Sequence, residues 1–332
     1  MTAEHPFAQY VRILGKGPNL SRPLTQDEAR DAVGMILRGE VEPVQLGAFL
    51  CLLRVKTETP EEVAGFGLAV RDILSLPASF PKPDLDWPSY AGKSRHLPLF
   101  ILSALLLAKN GITVSMHGTE GHTAGRLYTR ETLAALGIPA AASLEEAGRQ
   151  LTAHHFTYVP LEVLHPRLLQ IFELKPLLGL RSPLHTVARN LNPFDAKAAL
   201  MSVFHPNYRG VHRDASLLMG MQSLACFKGD GGEIERRPEK PCVVEGIQDG
   251  QAFDEEWPPL PVTAPTAPEQ ELRPEKLAAL WTGEVQDAYA EAVITSTAAI
   301  ALRLLGKAAS PEDALNLAAK WWQDRPRQIG HV

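Results

Sequence analysis

Between Asp84 and Thr119 the residue types follow the layout of a phosphate-binding strand–loop–helix–strand unit. An acidic and apolar lead-in, Asp84-Leu85-Asp86-Trp87, reaches a short loop. An apolar helix follows from Leu97 to Lys109, stopped by Asn110-Gly111, and a β-rich run Ile112-Thr113-Val114 ends in His117-Gly118. A loop that cradles pyrophosphate needs several glycines so that consecutive N–H groups can approach the anion. Here Gly92 stands alone among Pro88, Ser89, Tyr90, Lys93, Arg95 and His96. The residue types exchange backbone recognition for side-chain charge.

The chemistry must be carried by a chain of 332 residues, long enough for one large domain and a smaller one. Its composition, 45% hydrophobic and 21% charged, is that of an ordinary globular protein. The longest apolar run, Leu97–Ala108, is broken by Pro98 and Ser103 and is too short to span a bilayer. No secretory pattern is visible, and Cys51, Cys226 and Cys242 are odd in number with no zinc spacing, so reduced thiols in a cytoplasmic protein are expected. The net charge of −5 hides an asymmetry. Residues 88–228 carry 14 Lys and Arg against 8 Asp and Glu, with 9 of the 11 histidines, whereas residues 229–332 carry 10 against 18. A basic centre between acidic ends predicts an anion-binding region, although scattered solvated side chains would give the same totals.

Residues 1–78 read as a small all-helical domain. Thr25-Gln26-Asp27-Glu28 is a capping box, and Thr59-Pro60-Glu61-Glu62 combines an N-cap, a first-turn proline and a glutamate at the third position. Apolar residues lie all round the helix after Pro43, which predicts packing against a partner subunit or the other domain. Helices from about 161–182 are expected to join this module. Residues 79–332 alternate helices and short strands, the pattern of a larger α/β domain with a mostly parallel central sheet flanked by helices. Strands are predicted at Ile112–Ser115, Phe156–Val159, Leu224–Phe227 and Cys242–Val244. Helices are predicted at Thr129–Leu136, Leu144–Ala153, Leu161–Leu174, Ala215–Ser223, Leu277–Trp281, Val285–Leu305 and Pro311–Gln323. The proline-rich, acidic stretch Gln248–Lys276 reads as a surface loop around one short strand.

This order of elements resembles the anthranilate phosphoribosyltransferase family, which shares its fold with the pyrimidine nucleoside phosphorylases. Four segments carry the resemblance over nearly the whole chain: Leu24–Arg71, Val114–Gly118, Leu178–Pro193 and Val203-Phe204-His205-Pro206. The family's enzymes hold phosphoribosyl pyrophosphate with a Gly-Thr-Gly-Gly-Asp loop, an Asn-x-Ser-Thr helix start, a Lys-His-Gly-Asn turn and an Mg²⁺-binding Asp-Glu pair. Here the glycine loop falls on Pro88–Gly92, the helix start on Pro98-Leu99-Phe100-Ile101, and the turn reads Met116-His117-Gly118-Thr119. The Asp-Glu position falls on Ile234-Glu235. Arg181 matches the arginine that faces the anthranilate carboxylate, but His185 and Ala188-Arg189 replace the residues that follow. Losing donors and a metal ligand together costs several kcal/mol of binding and transition-state stabilisation, so transfer to anthranilate is not expected.

Around the altered positions stand Lys93, Arg95, His96, His117, Arg126, Arg130, Arg181, His185, Arg189, Arg209, Arg213 and Lys228, which form the expected anion-binding set. No catalytic residue, metal ligand or cofactor is expected; Mg²⁺ enters only if the transferase chemistry survives. Without a glycine cradle, such a groove suits an extended polyanion. The resemblance is to a divergent, non-biosynthetic branch, and implies a homodimer joined through its N-terminal helices that binds DNA or RNA, with no membrane partner. The alternatives are a phosphoribosyltransferase or nucleoside phosphorylase with a modified donor site, and a small-anion-binding regulator. Simpler roles also fit single residues. Trp87 and Tyr90 suit loop packing, His117 a hydrogen bond to its turn, Arg181 an ion pair, and Glu233 and Glu235 a solvated charge cluster.

Overall fold

The computed structural model describes residues 3–121, 123–265, 267–269 and 271–329. Four helices come first: α1 (Ala8–Gly15), α2 (Gln26–Leu37), α3 (Pro43–Lys56) and α4 (Pro60–Ile73). Both capping boxes form. The Thr25 and Thr59 hydroxyls accept the amides of Glu28 and Glu62, whose carboxylates accept the cap amides in return. Glu62 does more than cap α4. Its buried carboxylate also accepts the Leu24 amide at 2.9 Å and pairs with Lys56 at 2.6 Å, fastening the entry of α2 to α3 and α4.

The α/β part opens with β1 (Leu85–Ser89), α5 (Phe100–Lys109), β2 (Val114–Gly118), α6 (Thr129–Ala135), α7 (Leu144–His154) and β3 (Phe156–Pro160). Helix α5 starts three residues later than predicted, because Leu97 precedes Pro98 and a residue before proline disfavours helical geometry. The chain then crosses back to the helical module as α8 (Leu161–Leu164), α9 (Pro166–Phe172), α10 (Lys175–Leu178) and α11 (Leu184–Val187). The single helix expected over Leu161–Leu174 is split: the residue before a proline disfavours helical geometry, and His165 caps α9 by accepting the Leu168 amide on Nδ1. Phe49, Leu53 and Phe66 share one apolar core with Leu168, Ile171, Leu184 and Val187.

Next come β4 (Ala198–Val203), α12 (Tyr208–Leu218), β5 (Leu224–Lys228), β6 (Cys242–Gln248), β7 (Gln251–Trp257), α13 (Glu275–Thr282), α14 (Ala288–Leu304) and α15 (Pro311–Asp324). Helix α12 begins seven residues before the predicted Ala215 and ends ahead of Gly220. The seven strands lie in the order β3-β2-β1-β4-β5-β6-β7; the first five are mutually parallel, β6 runs antiparallel to β5, and β7 antiparallel to β6. The sheet packs against α5 and α14, with Trp87, Trp257 and Trp281 in the core between them. A helical module on a larger, mostly parallel α/β domain is the architecture expected. Among the described residues no helix is long and apolar enough to cross a membrane.

Candidate anion-binding cleft

In register, Ser89 pairs with Gly118 and Val203 with Lys228, so the carboxyl ends of these strands finish level along one edge of the sheet. The sheet was extended from β1 in two directions, and crevices open at such switch points. A cleft of about 380 Å³ lies there, between the loops after β1 and β4 and the helical module. Four arginines line it: Arg54 from α3, Arg126, Arg181 and Arg189; among the described residues its lining contains no carboxylate.

Two of these guanidiniums are held by carbonyls, so their positions are set without neutralising the charge in contact. Arg126 Nη1 donates to Ala91 O at 2.9 Å and Gly92 O at 3.0 Å, and Arg189 Nη1 donates to Ser202 O at 3.0 Å and Gly232 O at 2.6 Å. Arg54 and Arg181 are exposed and make no hydrogen bond or ion pair among the described residues. Arg181 is exposed by surface area yet closely surrounded at the cleft mouth. That crowding, then Arg189 and Arg126, push its guanidinium down to about 10, and its exposure keeps it charged at neutral pH. His185 is buried, stacked on Phe172 at 4.0 Å, with its Nδ1 3.2 Å from the Ser182 hydroxyl. Phe204 is 60% exposed at the cleft mouth, edge-on to His205.

The remaining residues of the expected set divide differently. Lys93 is buried between two carboxylates, Asp230 and Glu235, the latter at 2.6 Å. Burial lowers its pKa, but Glu235 and Asp230 outweigh that and raise it, so the charge is present and internally matched. Arg95 and His96 sit on the far side of this cluster, around a separate cavity of about 200 Å³ with Arg237 and Tyr289. His117 is wholly buried beneath the loop: the Tyr90 hydroxyl lies 2.7 Å from its Nδ1, and Asp86 Oδ1 lies 3.4 Å from its Nε2. Arg130 pairs with Glu120 and Glu162, Arg209 with Glu245, and Arg213 with Asp214 and Asp254. Lys228 is exposed at the end of β5, outside the cleft lining. The cleft thus gathers Arg126, Arg181, His185 and Arg189 of the expected set. Of the others, Lys93, His117, Arg130, Arg209 and Arg213 lie against acidic side chains from elsewhere in the fold, and Arg95, His96 and Lys228 stand on other surfaces.

Arg54 was not singled out from the sequence, although a lone arginine in the last turn of an apolar helix was a usable signal. Glu233 and Glu235 correct a second expectation. They are 1% and 3% exposed, not a solvated cluster. Glu233 Oε1 accepts the amides of Ala91 at 2.7 Å and Gly92 at 2.6 Å, while Oε2 accepts the Ser89 hydroxyl at 3.0 Å. Trp87 and Tyr90 are buried packing residues.

Residues 8–73 match a model described as the glycosyl transferase family helical bundle domain. The Escherichia coli protein YbiB is 31% identical over 240 residues, spanning 70% of this chain and 74% of its own. An anthranilate phosphoribosyltransferase of Gluconobacter oxydans is 28% identical over 311 residues, 90% of this chain and 85% of that one. The chain belongs to the anthranilate phosphoribosyltransferase-like glycosyltransferase family. The crystal structure of the family's enzyme from Thermus thermophilus superposes with a TM-score of 0.80 at 22% identity, covering 98% of this chain and 96% of that one, a likeness of fold. The Mg²⁺ that the family implies does not fit the residues present. Lys93's ammonium already stands between Asp230 and Glu235, and Glu233 is engaged by amides; no group of three metal-capable side chains occurs among the described residues.

Proposed function

We propose that this chain binds nucleic acid, DNA or RNA, by phosphate contacts in the arginine cleft, with little sequence preference. One observation carries the reading: Arg54, Arg126, Arg181 and Arg189 line a single concavity with no carboxylate among the described residues. Guanidiniums match phosphate oxygens in pairs, and fixed phosphate contacts position a strand without reading its bases. Phe204, exposed at the mouth, offers a face on which a base could stack. A homodimer formed through α3 belongs to the same reading. Arg54 and the exposed Val55 are neighbours on that helix, so a partner seated there brings two clefts close together. A cytoplasmic location fits this reading.

The test is fluorescence anisotropy with labelled DNA and RNA of unrelated sequences across a salt series. Binding should weaken by about 0.9 log units per log unit of salt for each duplex phosphate neutralised, about 0.7 for single strands. No binding of either polymer at low salt would end the reading.

A second reading, a pentosyl transferase with a modified donor site, is favoured by family membership and by relatives named anthranilate phosphoribosyltransferase that span nine-tenths of the chain. It needs phosphoribosyl pyrophosphate to enter where Lys93 is now paired with Asp230 and Glu235, and Glu233 fills the Ala91 and Gly92 amides. Saturable, Mg²⁺-dependent heat on titrating that donor would put the second reading ahead; a flat titration leaves it without a donor.

A further inference from the structure

Beside the cleft, an anion seat is already filled from within. Two consecutive N–H groups, Ala91 and Gly92, turn onto one oxygen of Glu233 while the Ser89 hydroxyl donates to the other. That is how a backbone nest holds the oxygens of a phosphoryl group. Gly92, at φ +67°, gives the nest its left-handed step. Arg189 supplies positive charge: burial raises the Glu233 pKa, and the Arg189 guanidinium is the largest influence against it. The loop bearing Glu233 is fitted closely enough that a Cβ on Gly229 would meet Glu233 O at 1.8 Å and Ser202 Oγ at 2.2 Å. Beside that loop the Ser202 hydroxyl is buried without a hydrogen-bond partner among the described residues. On the same loop Glu235 Oε2 accepts the Phe100 amide at 3.0 Å, while Lys93 stands between Glu235 and Asp230.

We propose that Ser89, Ala91, Gly92 and Arg189 form a seat for a tetrahedral oxyanion such as inorganic phosphate, with the Glu233 carboxylate as its resident occupant. The chain supplies the anion itself, while the neighbouring Lys93 charge is already matched by Asp230 and Glu235. An external phosphate enters only when the Glu233 charge is removed. The seat adjoins the four-arginine cleft and shares Ala91 and Arg189 with its lining, but the proposal does not depend on what that cleft binds.

The experiment compares wild type and Glu233→Ala by calorimetric titration with inorganic phosphate and by melting in phosphate or in chloride of equal ionic strength. The variant should bind phosphate at least tenfold more tightly than wild type. Phosphate, and not chloride, should restore part of the melting temperature that the substitution removes. Equal phosphate responses in the two proteins overturn the proposal. Should Glu233→Ala fail to fold, Glu233→Gln keeps an acceptor for the amides and carries the same comparison; it must bind phosphate more tightly than wild type, and equality again overturns the proposal. A wild-type chain that ignores nucleic acid would end the reading above and leave this result unaffected.

Discussion

Lys93 Nζ lies 2.6 Å from Glu235 Oε1, and both side chains are buried, with Asp230 closing on the same ammonium. A lysine whose sequence position suggested a ligand contact is instead an interior counter-ion. The arrangement predicts a large effect from removing it. Lys93→Met leaves two carboxylates facing each other without a cation and should cost about 3–5 kcal/mol, read as a lower urea midpoint. Adding Glu235→Gln to that variant should recover part of the loss, since the repulsion and one desolvated charge go together. A Lys93→Met protein within about 1 kcal/mol of wild type would show that the cluster is solvated and relaxed.

His212 gives the fold an acid-sensitive point. It is buried on α12 with Nδ1 donating to Asn190 Oδ1, and burial, then Arg189, push its pKa down to about 3. Below pH 6.5 the unfolded chain protonates this imidazole while the folded chain does not. Stability is therefore fully present above pH 6.5 and falls as pH drops through the window toward 3, by at most about 1.4 kcal/mol per pH unit. His212→Asn keeps a donor for Asn190 and removes the titration. Denaturation midpoints measured at steps between pH 7 and pH 4 should fall less steeply for the variant; parallel curves would assign the acid loss elsewhere.

The helical module was legible because local chemistry writes it: Thr25 and Thr59 cap through contacts within three residues, and Pro43 and Pro60 open their helices. Strand β1 was harder to see. Asp86 and Pro88 break its apolar run, yet all five of its residues are buried, which only the strands on either side explain. The cleft was half legible. Arg126, Arg181, His185 and Arg189 are brought together by the strand-end loops, as the charge pattern suggested. The partners that remove Lys93, Arg130 and Arg209 from it are Asp230 and Glu235, Glu162, and Glu245, at separations of 137 and 142, 32, and 36 residues. Spacing along a chain does not encode such pairs. Glu233 shows the same limit, since the amides it fills lie more than 140 residues earlier.

Arg181 and Arg189 should separate binding from stability. Arg181 is exposed and makes no contact that the fold needs, so Arg181→Ala should change stability by less than about 0.5 kcal/mol while weakening polyanion binding and lowering the salt slope by about one phosphate. Arg189 ties Ser202 O to Gly232 O. Arg189→Ala should therefore both weaken binding and destabilise by about 1–3 kcal/mol, because those carbonyls lose their donor. Matched urea denaturations and salt-dependent anisotropy on the two variants make the comparison. A stable Arg189→Ala protein, or an Arg181→Ala protein with the wild-type slope, would contradict it.

Helix α3 presents an unpartnered apolar stripe. Val44 and Val55 are 78% and 85% exposed, and eleven residues at 100° per step place them about 20° apart on one face, with half-buried Ala48 and Cys51 between. Leu177 on α10, 83% exposed, adds to the apolar surface of the same module, where Leu178 packs close to Gly47. Surface valines three turns apart on one stripe suit a second copy of the same helix, and Arg54 beside Val55 would then approach its symmetry mate across the seam. Val55→Glu should convert a dimer to monomer in sedimentation velocity while leaving the circular dichroism spectrum and melting of the monomer fold intact. If the two clefts act together, the same variant should bind long oligonucleotides at least tenfold more weakly, and oligonucleotides too short to reach both clefts about as well as wild type. A wild-type protein that sediments as a monomer, or a Val55→Glu protein that stays dimeric, would place the partner surface elsewhere.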